Sequence, residues 1–285
     1  MANIDLRPMT LGEVLDQTFT LYRENFLLFA GITALPYLVS LIFKFGLLLL
    51  QRGAIAGAAP SISSPGMLGG IIAGGLGSFL LLYLMIGVAQ SATVAAVSDL
   101  YLGRPTSVAN AYDQSRGRIL IVFAVMIMTF LATVVGAIFL IIPGIYLACR
   151  LAVSVPAAIV EKESPVASMQ RSMDLTQGYA WQMFLLLLLV GVISWVVAAI
   201  LQAPVMFFAF TAAVAKHQVS FGVSAYSYVA DYVAQVVVGP IGTISASLMY
   251  YNLRVKKEGF DIMHLMNSLD NVPRPLADPV TPATR

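Results

Sequence analysis

Six stretches of this sequence stay apolar long enough to cross a lipid bilayer, and nothing else in the chain constrains its fold as tightly. In hydrocarbon every backbone N–H and C=O must be satisfied internally, so an apolar run of about 20 residues is committed to a helix. The first run extends from Phe26 to Leu50, interrupted by Pro36 and Lys44. A second covers about 67–97, and a third runs from Ile119 to Ile142, where Pro143-Gly144 is expected to break the helix. The fourth resumes at Ile145 and reaches Val160; the fifth starts near Trp181 and passes Gln202, with Pro204 as a kink or an end. The sixth covers roughly Ala225 to Asn252.

Composition agrees with the runs. Only 11% of the residues are charged and 59% are hydrophobic, whereas a soluble domain carries about 25% charged and about 45–50% apolar residues. The expected fold is an all-α polytopic membrane bundle of six transmembrane helices in three hairpins. Residues 1–270 form one transmembrane domain, and the proline-rich stretch 271–285 reads as a disordered tail. A net charge of +2 is too balanced for a nucleic-acid groove. A single cysteine, Cys149, excludes an internal disulfide and any thiolate metal cage. His217 and His264 fall on opposite sides of the bundle, so no cofactor or metal is expected.

The placement of the charges predicts an orientation. Arg7 and Arg23, then Arg104, Arg116 and Arg118, then Lys162 and Arg171, and finally Arg254, Lys256, Lys257, Arg274 and Arg285 share one side. The opposite loops hold Arg52 and Lys216. Basic residues stay on the cytoplasmic side, so both termini are expected inside, at a bacterial inner membrane. The mixed polar residues before Phe26, among them Asp5, Glu13, Asp16 and Glu24, do not resemble a cleavable signal.

The segments on the basic side resemble one another. Arg7-Pro8-Met9-Thr10 precedes Val14-Leu15-Asp16-Gln17, Arg104-Pro105-Thr106-Ser107 precedes Ala111-Tyr112-Asp113-Gln114, and Ser164-Pro165 leads to Ser168-Met169-Gln170-Arg171. In each, a hydroxyl residue can cap a short helix, and Thr10 with Glu13 forms a capping box. Leu11, Val14, Leu15, Thr18 and Tyr22 share one face of the first helix. One unit is therefore an interfacial amphipathic helix followed by a hairpin, repeated over about 5–100, 101–162 and 163–258. A final short helix is expected at Phe260–Leu269. The interfacial helices are not rich in Lys or Arg, so structural packing under the hairpins is favoured over a docking face for a protein partner.

Charge inside the spans is the main functional lead, because it is costly there. Lys44, Arg150 and Asp231 qualify, and counting helical rise places all three about 10 Å below the outer face. An Arg150–Asp231 pair follows from the shared depth, read either as an ion pair that sets register or as a polar site. Gly66, Gly70, Gly74 and Ser78 recur every fourth residue, a face that lets another backbone approach, within the chain or in a homo-oligomer. Asp16 and Asp113 have no adjacent base and read as solvated, and Cys149 reads as a packing residue.

Leu6-Arg7-Pro8-Met9-Thr10-Leu11-Gly12-Glu13-Val14-Leu15-Asp16 with Leu21-Tyr22-Arg23-Glu24-Asn25-Phe26 resembles the opening of bacterial proteins of the glycerophosphoryl diester phosphodiesterase membrane domain family. Arg150-Leu151, Pro156, Leu175-Thr176-Gln177-Gly178 and Asn252-Leu253-Arg254 through Glu258-Gly259-Phe260-Asp261 extend the resemblance over about 6–265. A more distant likeness is to the YciC-like inner-membrane proteins. The resemblance implies the membrane half alone: the catalytic barrel of the name-giving proteins needs about 250 residues, and roughly 30 follow the last span here. The expected function is thus non-catalytic, a membrane scaffold that organises lipid or partners. The competing reading is a transporter or channel with a polar site around Arg150 and Asp231, suggested by those charges and by Pro36, Pro156, Pro204 and Pro240.

Overall fold

The computed structural model describes residues 8–56, 65–214 and 221–259. All regular structure among them is helical: α1 Leu11–Glu24, α2 Phe26–Ala56, α3 Pro65–Tyr101, α4 Val108–Arg116, α5 Ile119–Phe139, α6 Ile141–Leu151, α7 Ser154–Val160, α8 Pro165–Thr176, α9 Ala180–Val214 and α10 Phe221–Glu258. Six segments are long and apolar enough to span: Phe26–Leu49, Gly74–Tyr101, Ile119–Phe139, Ile141–Val160, Ala180–Ala212 and Phe221–Glu258. The chain is a multi-pass integral membrane protein. The short helix expected at Phe260–Leu269 and the tail 271–285 lie outside the described residues.

One span boundary differs from expectation. Pro143-Gly144 does not end α5; the break falls at Leu140, whose backbone is extended (φ −160°, ψ 141°), and Pro143 sits in the first turn of α6. A first-turn proline costs nothing, since its missing N–H would have no intrahelical partner anyway. The glycine matters for another reason: a Cβ on Gly144 would lie 2.7 Å from Ala137 Cβ and 2.8 Å from its Cα and N, and one on Gly136 would meet Leu147 at 2.8 Å. α5 and α6 therefore touch backbone to backbone. Pro204 does not end α9, which continues through it to Val214.

The short helices α1, α4 and α8 are capped by Thr10, Ser107 and Ser164, each accepting a bond from a first-turn N–H. They are packed among the spans. α4 lies on α3 and α2, α8 lies on α7, α5 and α6, and α1 lies chiefly on α10. Each short helix thus rests against the helices that precede it, and α1 closes the arrangement on the last pair.

Their inner faces build the core. Val14 and Leu21 of α1, Ala111 of α4 and Leu175 of α8 join Phe29, Ile32, Met183, Leu186, Ile244, Leu248, Met249, Tyr250, Tyr251 and Leu253 in one buried cluster. We call this end of the bundle the base. Away from it α9 exposes Met206, Phe207, Phe208 and Phe210, as a face turned to lipid would.

Candidate functional site

The base is tied together by residues that share the N-terminal and C-terminal motifs. Met9 N–H donates to Asn252 Oδ1 at 2.8 Å, and Asn252 Nδ2 donates back to Met9 O at 3.1 Å. Lys256 Nζ donates to the same carbonyl at 2.6 Å. The segment before α1 is therefore clamped to the end of α10. The capping box is formed, with Thr10 N–H donating to Glu13 Oε2 at 2.7 Å and Glu13 N–H to Thr10 Oγ1 at 3.4 Å.

Beside the clamp, five side chains share their charges. Arg171 of α8 reaches Glu161 at 2.8 Å and Glu258 at 2.5 Å. Arg254 reaches Glu258 at 3.2 Å and Glu161 at 3.8 Å, and Tyr250 Oη donates to Glu161 Oε1 at 2.7 Å. Burial opposes the charge on Arg171, but the bonds and charge of Glu161 and Glu258 outweigh it and hold that guanidinium above its ordinary value. Two acids face two bases, so the network is neutral and closed on itself. Asp99 is also buried and accepts from Gln114 Nε2 at 2.7 Å.

The proline breaks form a second class of polar site. A helical proline leaves the carbonyl four residues earlier without its N–H partner, and in hydrocarbon such a group must find another donor. Pro36 frees Ile32 O, which accepts from Tyr112 Oη of α4. Pro240 frees Val236 O, which lies 3.2 Å from Thr33 Oγ1, a hydroxyl shared with its own Phe29 O at 3.0 Å. The next carbonyl, Val237 O, accepts from Tyr22 Oη of α1. At the break between α6 and α7, just before Pro156, Arg150 O accepts from Ser172 Oγ at 2.8 Å and Thr176 Oγ1 at 3.0 Å, both on α8. At Ile32 O and Arg150 O hydroxyls of a neighbouring short helix close the gap, and at Val236 O the hydroxyl is Thr33 of the span α2. Burial pushes the Tyr112 phenol up to about 12 and raises that of Tyr22, so both remain donors at any physiological pH. Leu15 and Tyr22, the face that a protein partner would have used, pack against Val190, Val238 and Ile241.

The three intramembrane charges do not converge as one group. Lys44 Nζ lies 3.3 Å from Asp231 Oδ2, and Gln202 Nε2 donates to Asp231 Oδ1 at 2.5 Å. Lys44 also stands 5.8 Å from the centre of the Tyr228 ring. Both charged side chains are partly exposed, 34% for Lys44 and 43% for Asp231. Arg150 is elsewhere: its guanidinium donates to Tyr146 Oη at 2.9 Å and to Met173 O at 2.6 Å. It thereby faces α8 at the base, and the expected Arg150–Asp231 contact is replaced by Lys44–Asp231.

Gly66, Gly70, Gly74 and Ser78 all lie in α3. A Cβ on Gly74 would have no heavy atom within 4 Å, and Ser78 turns its hydroxyl to Gly74 O at 2.6 Å. Close helix contact is made at Gly136 and Gly144. Cys149 is buried. Among the described residues no three His, Cys, Asp or Glu side chains gather where they could hold a metal ion.

Reasoning from the sequence missed Gln202, Asp99, Glu161 and the closing hydroxyls. Pro36 and Pro240 were the available signal, since each lies inside a helix and implies a carbonyl that needs a donor. A family model described as the membrane domain of glycerophosphoryl diester phosphodiesterase matches residues 121–270, just over half of the chain. The match includes Arg150, Glu161, Arg171, Asp231, Asn252, Arg254 and Glu258. No curated protein and no solved structure matches the chain.

Proposed function

The chain belongs to the glycerophosphoryl diester phosphodiesterase membrane domain family, and on that premise we propose that it works without catalysis of its own, as a membrane-embedded scaffold that organises lipid. The observation that carries this reading is that the carbonyls freed by Pro36 and Pro240 each meet a hydroxyl donor within the protein. A transporter of the broken-helix kind uses freed carbonyls and helix ends to hold its solute; here the freed Ile32 O and Val236 O meet Tyr112 and Thr33, and Arg150 O at the end of α6 accepts from Ser172 and Thr176. At the base Arg171 and Arg254 pair with Glu161 and Glu258.

In this reading the three short helices and the pairs of spans are copies of one unit, and their interlocking makes the base rigid. The basic residues at that end support a cytoplasmic position for it in a bacterial inner membrane. Labelling checks the orientation: in a Cys149→Ser background, a membrane-impermeant maleimide applied to intact cells should modify Arg52→Cys and spare Arg104→Cys.

Lys44, Asp231 and Gln202 favour a second reading, a polar site for a small or lipid-like solute. Liposomes containing only this protein separate the two. The scaffold reading expects no flux of labelled ions, sugars or amino acids above empty liposomes, together with an altered lipid composition in a deletion strain. Flux that Asp231→Asn abolishes would overturn it in favour of transport.

A further inference from the structure

Between α2 and α3 lies a cleft of about 140 Å³ whose lining includes Ser40, Phe43, Lys44, Leu47, Phe79 and Leu82. Most of this wall is apolar, yet it carries two polar groups with bonding capacity left over. Ser40 is 6% exposed, and its hydroxyl has no hydrogen-bond partner. Helical Ser and Thr hydroxyls usually turn back to a carbonyl three or four residues earlier, as Thr18, Thr93, Ser194 and Ser247 do here. Ser40 does not. Lys44 has three N–H donors, and its contact with Asp231 at 3.3 Å needs only one.

Ser40 and Lys44 are four residues apart on one helix, so they stand on the same face with Cβ atoms about 6 Å apart. A buried hydroxyl and an ammonium at that spacing suit a group with several oxygens and a negative charge, and the rest of the wall suits an alkyl chain. The volume takes only the head and the first few methylenes. The exposed side chains of Leu76, Phe79 and Leu80 carry the apolar surface onward along the bundle.

Depth chooses between sources of such a ligand. Lys44 lies five residues, about 8 Å of helical rise, from Leu49, where the first apolar span ends, a depth that its long side chain can bridge. Its ammonium therefore reaches the level of headgroup phosphates in the far leaflet by snorkelling. A phospholipid brings phosphate to that level, whereas an isolated inorganic anion has no use for the apolar wall.

We propose that the α2–α3 cleft binds one phospholipid of the far leaflet, its phosphate held by Lys44 and Ser40 and its acyl chain laid on Phe43, Leu47, Phe79 and Leu82. Asp231 competes with the phosphate for Lys44, and Gln202 steadies Asp231, so the carboxylate tunes affinity without touching the lipid. The inference deepens the lipid-organising reading and rests on it.

Native mass spectrometry of the full-length protein in detergent tests the site with four added probes: phosphatidylglycerol, dioleoylglycerol, oleate and inorganic phosphate. Phosphatidylglycerol should bind at least tenfold tighter than the other three. Lys44→Gln should erase that preference, Lys44→Arg should keep it, and Ser40→Ala should weaken it severalfold. Asp231→Asn should tighten phosphatidylglycerol binding, a gain that a misfolded variant would not produce. Equal binding of dioleoylglycerol and phosphatidylglycerol, tighter binding of oleate, binding of inorganic phosphate alone, or indifference to both Lys44→Gln and Asp231→Asn would overturn the site. These outcomes are independent of liposome flux, so failure of the site and failure of the scaffold reading are told apart.

Discussion

The two halves of α10 are built from similar residues and live in different surroundings. From Val238 to Val255 most side chains are buried against protein, among them Ile244, Leu248, Met249, Tyr250, Tyr251 and Leu253. From Phe221 to Val237 nearly all are partly or fully exposed, with Ala230 the buried exception. The same division runs through α9, where Met183 and Leu186 are buried while Phe207 and Phe210 are 65% and 70% exposed. The base is held by contacts between protein atoms, and the far half is surrounded by lipid tails. Lipid tails are as apolar as leucine, so burial there brings no hydrophobic gain.

That contrast should be largest in core truncations. Leu248→Ala removes a fully buried side chain and should cost about 2–5 kcal/mol, through lost packing plus the cavity left behind. Phe207→Ala loses contact with lipid only and should change thermal stability in detergent by a few tenths of a kcal/mol, about the size of an ordinary surface change. Equal losses in the two variants would mean that the far half is packed against a second chain.

A glycine pair sharpens the comparison at one place where the far half is tight. Gly144→Ala drives a methyl into the Ala137 backbone, for which overpacking costs about 1–3 kcal/mol. Gly74→Ala meets nothing within 4 Å and should stabilise α3 by about 0.5–1 kcal/mol, because alanine is the better helix former. Melting temperatures of the two variants should therefore move in opposite directions. A loss at Gly74 comparable to that at Gly144 would instead expose an intermolecular contact on that face.

What the sequence made legible follows the same division. The spans could be read because bilayer thickness fixes their length, and the caps because Thr10, Ser107 and Ser164 sit within three residues of the donors they satisfy. Tyr112 and Ile32, Tyr22 and Val237, or Glu161 and Arg254 are joined only by the packing of distant helices. Arg150 meets Tyr146 and Met173 O rather than Asp231, because a depth count along one helix does not say which helices are neighbours. Lys44 and Asp231 were both recognised as costly charges; which third side chain they met depended on how α9 aligns with α10, and that proved to be Gln202.

The proline closures can be broken one at a time. Tyr112→Phe should strand Ile32 O in an apolar environment at a cost of about 1–3 kcal/mol. Pro36→Ala restores the missing N–H, so in that background the same Tyr112→Phe change should cost far less. The double-mutant cycle reads the coupling directly. Additive effects would mean that Tyr112 contributes packing alone.

The smallest expected effect is a titration. Burial holds the Tyr112 phenol at about 12 in the folded protein, above its ordinary value of 10. A raised folded pKa means that the unfolded chain gives up its proton first. The neutral phenol therefore supports the fold fully below pH 10, and that support fades as the pH rises from 10 toward 12. Tyr112 is partly exposed and α4 lies outside the spans, so solvent screening keeps the loss to about 1 kcal/mol or less. Tyr22 shifts in the same direction, so total stability alone would not isolate Tyr112. The informative quantity is the difference in melting temperature between the parent protein and Tyr112→Phe. It should be constant from pH 7 to 9.5 and shrink above pH 10, because only the parent has this proton to lose. A gap that persists unchanged to pH 11.5 would show that the hydroxyl at Ile32 O is not what distinguishes the two proteins, and the closure of the Pro36 break would then lose its energetic support.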